Sequence, residues 1–241
     1  MDRENRGVNP NLRSIFWLLW VFFSTVTYGI VCIILSAISR KMARSLGRIW
    51  NLHLLGFGGV KVEVRGIEKL DMNARYVFVA NHQSALDIPV LIAGLKHQLS
   101  FIAKKELFMI PFFGWGIAAL GHIWIDRGNA RKAHNSIERA VRRLRNENIS
   151  LMLFPEGTRS IDGKLGEFKQ ASFTLALRAG VQVVPVAIKN AASLLPKSTL
   201  FIRPGIVYLE ICDPISIEGA EITKGELSTQ VRETLKGILE K

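Results

Sequence analysis

Two cysteines, five histidines and 20 acidic residues leave little material for several common chemistries. Cys32 lies in the most apolar part of the chain and Cys212 in an expected strand, with no motif spacing between them. Neither a disulfide framework nor a metal site is expected, and a reducing compartment fits. His53, His82, His97, His122 and His134 never pair at ligand spacing, so zinc is not expected either. No Gly-x-Ser-x-Gly occurs, which removes the usual nucleophile elbow of serine hydrolases. Gly157 to Lys164 imitates a phosphate-binding loop, but it has one residue too many and continues with Leu165 where Ser or Thr is needed. Internal repeats and low-complexity tracts are absent.

The scarcity of acid leaves 32 Lys and Arg against 20 Asp and Glu, a net charge of +12. Partners should therefore be anionic: nucleic acid, a phospholipid surface or a phosphorylated small molecule. A mean hydropathy of +0.21 beside that charge tilts the choice toward lipid.

What the chain does have is a long hydrophobic run. Ser14 to Ser39 carries no charge, and about 20 such residues cross the hydrocarbon core. A cleaved signal peptide would have an apolar core of only about 7 to 15 residues, so the run reads as an uncleaved anchor. Arg3, Arg6 and Arg13 precede it and Arg40, Lys41 and Arg44 follow it, which draws both ends to the cytoplasmic side. A monotopic hairpin with a second, shallow helix over 45–59 satisfies both flanks and is favoured over a single span. Residues 1–59 are read as the membrane-anchoring helical segment and 60–241 as one α/β domain. A short chain with no targeting extension points to a bacterial inner membrane, with the site on the cytoplasmic face.

Beyond Gly58-Gly59, strands and helices alternate, the pattern of an α/β fold with a mixed, largely parallel sheet flanked by helices. The expected strands are 60–64, 76–80, 100–103, 122–125, 151–154, 183–188 and 207–212. The clearest helix is 130–146, where Ala133, Ile137, Ala140, Val141 and Leu144 recur at spacings of three and four. Others fit 170–178, closed by Gly180, and 227–239. Arg131, Lys132, Arg139, Arg142, Arg143 and Arg145 form either a solvated face, the simpler reading, or a seat for anionic lipid. The aromatic stretch 108–120 is read equally as core packing or as the lining of a lipid-chain cavity.

Asn81-His82-Gln83-Ser84-Ala85-Leu86-Asp87 directly follows an apolar strand. On a regular helix, side chains five residues apart diverge by about 140°. A turn brings them together if Asp87 caps a following helix that tolerates Pro89 in its first turn. A carboxylate on one imidazole nitrogen then fixes the tautomer and leaves the other free to take a proton from a hydroxyl. A base and its orienter without Ser or Cys suits direct attack by a substrate alcohol rather than a covalent acyl-enzyme. A plain helix cap beside a satisfied turn histidine is the competing reading.

A second constellation follows the strand ending at Phe154: Pro155-Glu156-Gly157-Thr158-Arg159-Ser160, a polar turn where ligands sit in open α/β sheets. Arg159 there, and Arg127 after the strand ending at Ile125, would grip phosphate. Lys104 and Lys105 follow a third strand end and add positive charge.

These residues resemble the glycerolipid acyltransferases, the family that includes 1-acyl-glycerol-3-phosphate acyltransferase. Four of its blocks occur in order: the His-x4-Asp motif of His82 and Asp87, Gly121 to Arg127, Phe154 to Ser160, and Val184-Pro-Val-Ala-Ile188. The resemblance implies acyl transfer from acyl-CoA or acyl-carrier protein to the free hydroxyl of lysophosphatidic acid, giving phosphatidic acid, with no cofactor beyond the donor. It makes His82 the general base and Asp87 its orienting partner. It assigns acceptor binding to Arg127, Glu156, Gly157, Thr158 and Arg159, with Lys105 in a segment common among close members. Backbone groups near Gly157 are candidate oxyanion donors. Trp124, where the family often has Phe, alters local pocket shape. An acyltransferase or transacylase for another lysolipid keeps the same motifs, whereas a non-catalytic anionic-lipid-binding protein leaves their order unexplained.

Overall fold

The apolar run folds as one helix, α1 (Pro10–Ile38), and stops at Ser39, whose backbone is extended and whose hydroxyl accepts the Met42 N–H. Serine satisfies an orphan amide there, so a new helix starts at once. That helix, α2 (Arg40–Gly58), begins earlier than the expected residue 45 and ends where Gly59 turns left-handed at φ 70°. The computed structural model describes residues 10–126, 128, 130–161, 163–217, 219 and 221–240. The two helices run antiparallel. Trp17 Nε1–H donates to Leu54 O at 3.0 Å, Trp50 Nε1–H donates to Ser24 Oγ at 3.0 Å, and Trp20 stacks on Phe57 at 4.5 Å.

Seven strands follow: β1 (Val60–Arg65), β2 (Val77–Ala80), β3 (Leu99–Lys104), β4 (Ile123–Ile125), β5 (Ser150–Leu153), β6 (Val183–Lys189) and β7 (Gly205–Ile211). They form one sheet in the order β1-β7-β6-β2-β5-β3-β4, parallel at every pairing except β6 with β7. The central strands are apolar on both faces because helices cover both faces. Phe78 and Ala80 of β2 point to a layer made by α1, α2, α3 (Asp87–Gly94) and the short α7 (Ala191–Leu194). Val77 and Val79 point to the opposite layer of α5 (Ala130–Asn146), α6 (Phe173–Ala179) and α8 (Lys224–Leu239). Gly180 closes α6 in the left-handed conformation, and a capping box of Thr223 with Glu226 starts α8.

Trp17, Leu54 and Leu55 join Phe78, Val90 and Leu209 in one apolar cluster, so the hairpin shares a core with the sheet. Its bend is tied to the far end of α5: Arg44 and Arg143 meet Glu147 at 2.8 and 2.7 Å, and Arg40 lies 3.5 Å away. The hydrogen bond from Arg143, with another from Arg44, holds the Glu147 carboxyl down at about 2 although burial opposes it. Several arginines on α5 are thus spent within the protein; Arg139 also lies over the Trp124 ring at 4.7 Å and Arg145 donates to Arg178 O.

The aromatic stretch 108–120 becomes the end of a 3-10 turn (Lys105–Met109) and α4 (Phe113–Ala119), laid against α1. Gly29 makes this approach possible, since a Cβ there would sit 2.8 Å from Phe112 O. Met109 and Trp115 remain 74 and 51% exposed, so much of the stretch is apolar surface beside the hairpin rather than core.

Candidate active site

Parallel pairing places the carboxyl ends of β2, β3, β4, β5 and β6 along one edge of the sheet. From β2 the chain leaves through α3 to β3, and from the neighbouring β5 it leaves through α6, on the other face, to β6. The crevice outside two strands whose connections diverge is where open α/β sheets bind ligands. His82 leaves β2 and Glu156 leaves β5 at this point.

Asn81 fixes the exit from β2. Its side chain donates to Ile188 O at 2.9 Å and accepts from Ile188 N at 2.8 Å, which extends the pairing with β6 by one polar residue. The chain then turns, and Asp87 reaches back so that Oδ2 lies 2.7 Å from His82 Nδ1. The same oxygen accepts the backbone N–H groups of Gln83 at 2.7 Å and Ser84 at 2.9 Å. The expected helix cap is corrected by this geometry. Leu86 occupies the cap position without a side-chain bond, and Asp87 is the first residue of α3, with its carboxylate turned toward the preceding loop. A carboxylate so placed can hold the turn and orient the imidazole together, which a cap facing forward could not.

Asp87 is fully buried, while the His82 side chain keeps 19% of its surface. Since the ionised carboxylate only accepts, Nδ1 carries the proton and Nε2 holds the lone pair. Phe154 stacks on the partly exposed ring at 4.2 Å with an interplanar angle of 21°. Among the described residues Asp87 Oδ1 has no hydrogen-bond partner, so the buried charge is compensated at one oxygen only. The arrangement fits general-base chemistry, with no Ser or Cys bonded to the ring among the described residues.

Glu156 enters from β5. One oxygen accepts the His82 N–H at 2.6 Å and the other accepts the Gly166 N–H at 2.8 Å. Burial pushes its carboxyl up, against the pull of those two amides. Both oxygens are occupied by backbone, so this side chain shapes the site instead of meeting an anion. Gly157 takes the left-handed conformation at φ 74°, and its N–H donates to Phe154 O at 3.0 Å within the turn. That amide is therefore spent, which removes it as an oxyanion donor. Ser160 N–H donates to His82 O at 2.8 Å, which ties the turn carrying Thr158 and Arg159 to the backbone of the base.

Lys105 stands apart. Its ammonium donates to Asp126 Oδ2 at 2.7 Å, and that hydrogen bond raises the lysine and lowers the aspartate from their ordinary values. At about 4.8 Å per strand, β3 lies about 10 Å and β4 about 14 Å from β2. A cation neutralised at that distance adds little to an anion pocket beside His82. Arg127, the other expected phosphate contact, lies outside the described residues.

Sequence reasoning missed three contributors. Phe154 and Asn81 each adjoin a strand end, and either could have been flagged from that place. Lys197 carries no local signal, yet its Nζ donates to Arg159 O at 2.7 Å and lies 3.4 Å from Thr158 Oγ1.

Residues 61–189 match the acyltransferase family. The chain is 32% identical to the 1-acyl-sn-glycerol-3-phosphate acyltransferase of Haemophilus influenzae, covering 84% of this chain and 85% of that protein. It is 33% identical to the Saccharomyces cerevisiae protein of that name, over 88 and 72%. With the chloroplast enzyme of Arabidopsis thaliana it shares 32% identity across 81% of this chain but only 55% of the longer relative. The crystal structure of the 1-acyl-sn-glycerophosphate acyltransferase from Thermotoga maritima is similar throughout, with a TM-score of 0.82, 30% identity and coverage of 96 and 95%. Motif spacing, sheet order and these relatives agree: the chain belongs to the acyltransferase family.

Proposed function

We propose that the chain transfers an acyl group from a thioester, acyl-CoA or acyl-carrier protein, to the free hydroxyl of lysophosphatidic acid, giving phosphatidic acid. The observation that carries this reading is His82, partly exposed and held through Nδ1 by a buried Asp87, with no Ser or Cys bonded to the ring among the described residues. Nε2 accepts the hydroxyl proton as the acceptor oxygen attacks the thioester carbonyl. Asp87 stabilises the imidazolium, which returns the proton to the thiolate as the carbon–sulfur bond breaks. The acceptor hydroxyl and phosphate are separated by a short two-carbon bridge, so a phosphate bound at Arg159 delivers the hydroxyl near the base. That proximity supplies much of the rate.

The anchor explains how a two-tailed product stays in lipid. α1 is long and apolar enough to cross a membrane. With 29 residues it measures about 44 Å, and basic residues stand at both ends, Arg13 at one and Arg40, Lys41 and Arg44 at the other. A helix lying along the cytoplasmic surface keeps both ends with the anionic headgroups, and the packing of α1 against α2 and α4 suits that monotopic pose. By this reading the protein works at the cytoplasmic face of a bacterial inner membrane.

Mass spectrometry of lipids after mixing purified protein with lysophosphatidic acid and oleoyl-CoA tests the activity. Phosphatidic acid carrying a new oleoyl chain is expected; its absence with both CoA and carrier-protein donors rejects the reading.

A further inference from the structure

The segment 195–204 links α7 to β7 and touches both halves of the molecule. Near one end Leu195 O accepts the Ser84 hydroxyl at 2.7 Å, inside the His82–Asp87 loop. Near the other, Ile202 is buried, its carbonyl accepts the Ser14 hydroxyl of α1, and Gly205 N–H donates to Gly59 O. Lys197 is thereby held over the turn that follows β5. Among the described residues its ammonium, which carries three N–H groups, directs hydrogen bonds at Arg159 O and Thr158 Oγ1.

Charge makes the position informative. Lys105 is cancelled by Asp126, and Arg40, Arg44 and Arg143 share Glu147. Among the described residues no carboxylate pairs with Lys197 or Arg159. Arg159, a planar fork, and the Lys197 ammonium, a point charge, are therefore both attached to one turn, whose Ser160 N–H is hydrogen-bonded to His82 O. A dianion bound at that turn is attracted by both charges.

We propose that Lys197 is a substrate-binding residue that, with Arg159, takes the phosphate monoester of a substrate. This rests on the acyl-transfer reading and deepens it. Two sources carry that chemistry, the headgroup of lysophosphatidic acid and the ribose phosphate of CoA, and the assay separates them.

Steady-state kinetics are measured for Lys197→Gln and Lys197→Arg with the full-length protein, varying lysophosphatidic acid, oleoyl-CoA and oleoyl-dephospho-CoA in turn. Loss of one charge-assisted hydrogen bond is worth roughly tenfold or more in affinity. In Lys197→Gln the KM for lysophosphatidic acid is expected to rise about tenfold with kcat little changed, and Lys197→Arg should recover most of it. A rise confined to oleoyl-CoA, absent with oleoyl-dephospho-CoA, places the same chemistry on the donor. If Lys197 only braces the turn, Ser160 and His82 shift instead, so kcat falls for every pair while KM stays; that result, or no change at all, overturns the proposal. Active wild-type protein with an unaffected Lys197→Gln variant rejects this assignment alone, whereas inactive wild-type protein rejects the function.

Discussion

His82 Nδ1 and Asp87 Oδ2 lie 2.7 Å apart, and that oxygen also gathers the amides of Gln83 and Ser84. One buried atom thus fixes the loop and the tautomer together. Asp87→Asn keeps an oxygen for the amides but removes the charge that stabilises an imidazolium. A loss of about a hundredfold to ten-thousandfold in kcat is expected, with a thermal midpoint near that of the wild type. A kcat within a few-fold of wild type would remove Asp87 from the mechanism.

Glu156 makes a different demand, because it accepts two backbone N–H groups at once. Glu156→Gln sets an amide donor against one of them, leaving a buried N–H unpaired at a cost of about 1–3 kcal/mol. The melting temperature and kcat should both fall while KM for lysophosphatidic acid stays within about twofold. A raised KM with unchanged kcat would instead put this carboxylate on the ligand.

Acid should loosen the junction between the hairpin and the sheet. Burial, with Arg44 and Arg143 nearby, pushes the His122 imidazole down to about 3, so the folded chain keeps it neutral while the unfolded chain protonates it near 6.5. Between those values the unfolded state binds more protons, and its contribution, complete above about pH 6.5, is lost as pH falls toward 3. Glu147, held at about 2, adds a loss that begins below its ordinary 4.5. Thermal melts in detergent should decline from about pH 6.5 downward, and His122→Asn should flatten the decline by at most about 1.4 kcal/mol per pH unit. An identical slope in the variant would contradict the assignment.

The anchor is testable apart from the chemistry. Phe16, Phe22 and Phe23 are 62, 64 and 65% exposed along α1. Replacing all three by Ser removes roughly 1.5–3 kcal/mol of apolar transfer per side chain. Partitioning onto anionic vesicles should fall at least about tenfold with the melt in detergent unchanged. Undiminished vesicle binding would mean that this face of α1 does not meet lipid.

Much of the fold is legible in the sequence because the central strands are covered on both sides, which turns 77–80, 151–153 and 183–188 into unbroken apolar runs. The period of Ala133 to Leu144 likewise fixes α5. Side-chain direction is not written in spacing. Glu156 and Arg159 share one turn, yet the glutamate points inward to backbone amides. Asp87 reads as a cap for the helix it begins, and only the folded loop shows its carboxylate facing back. Lys197 is far from every motif in sequence and arrives through the β6–β7 connection, a tertiary contact that no local pattern encodes.

The most direct measurement is turnover of lysophosphatidic acid by His82→Ala in vesicles, alongside its melt and its vesicle binding. The expected result is a fall in kcat of roughly two to four orders of magnitude, with folding and membrane association intact. A variant that keeps near-wild-type turnover would contradict the assignment of this imidazole as the base.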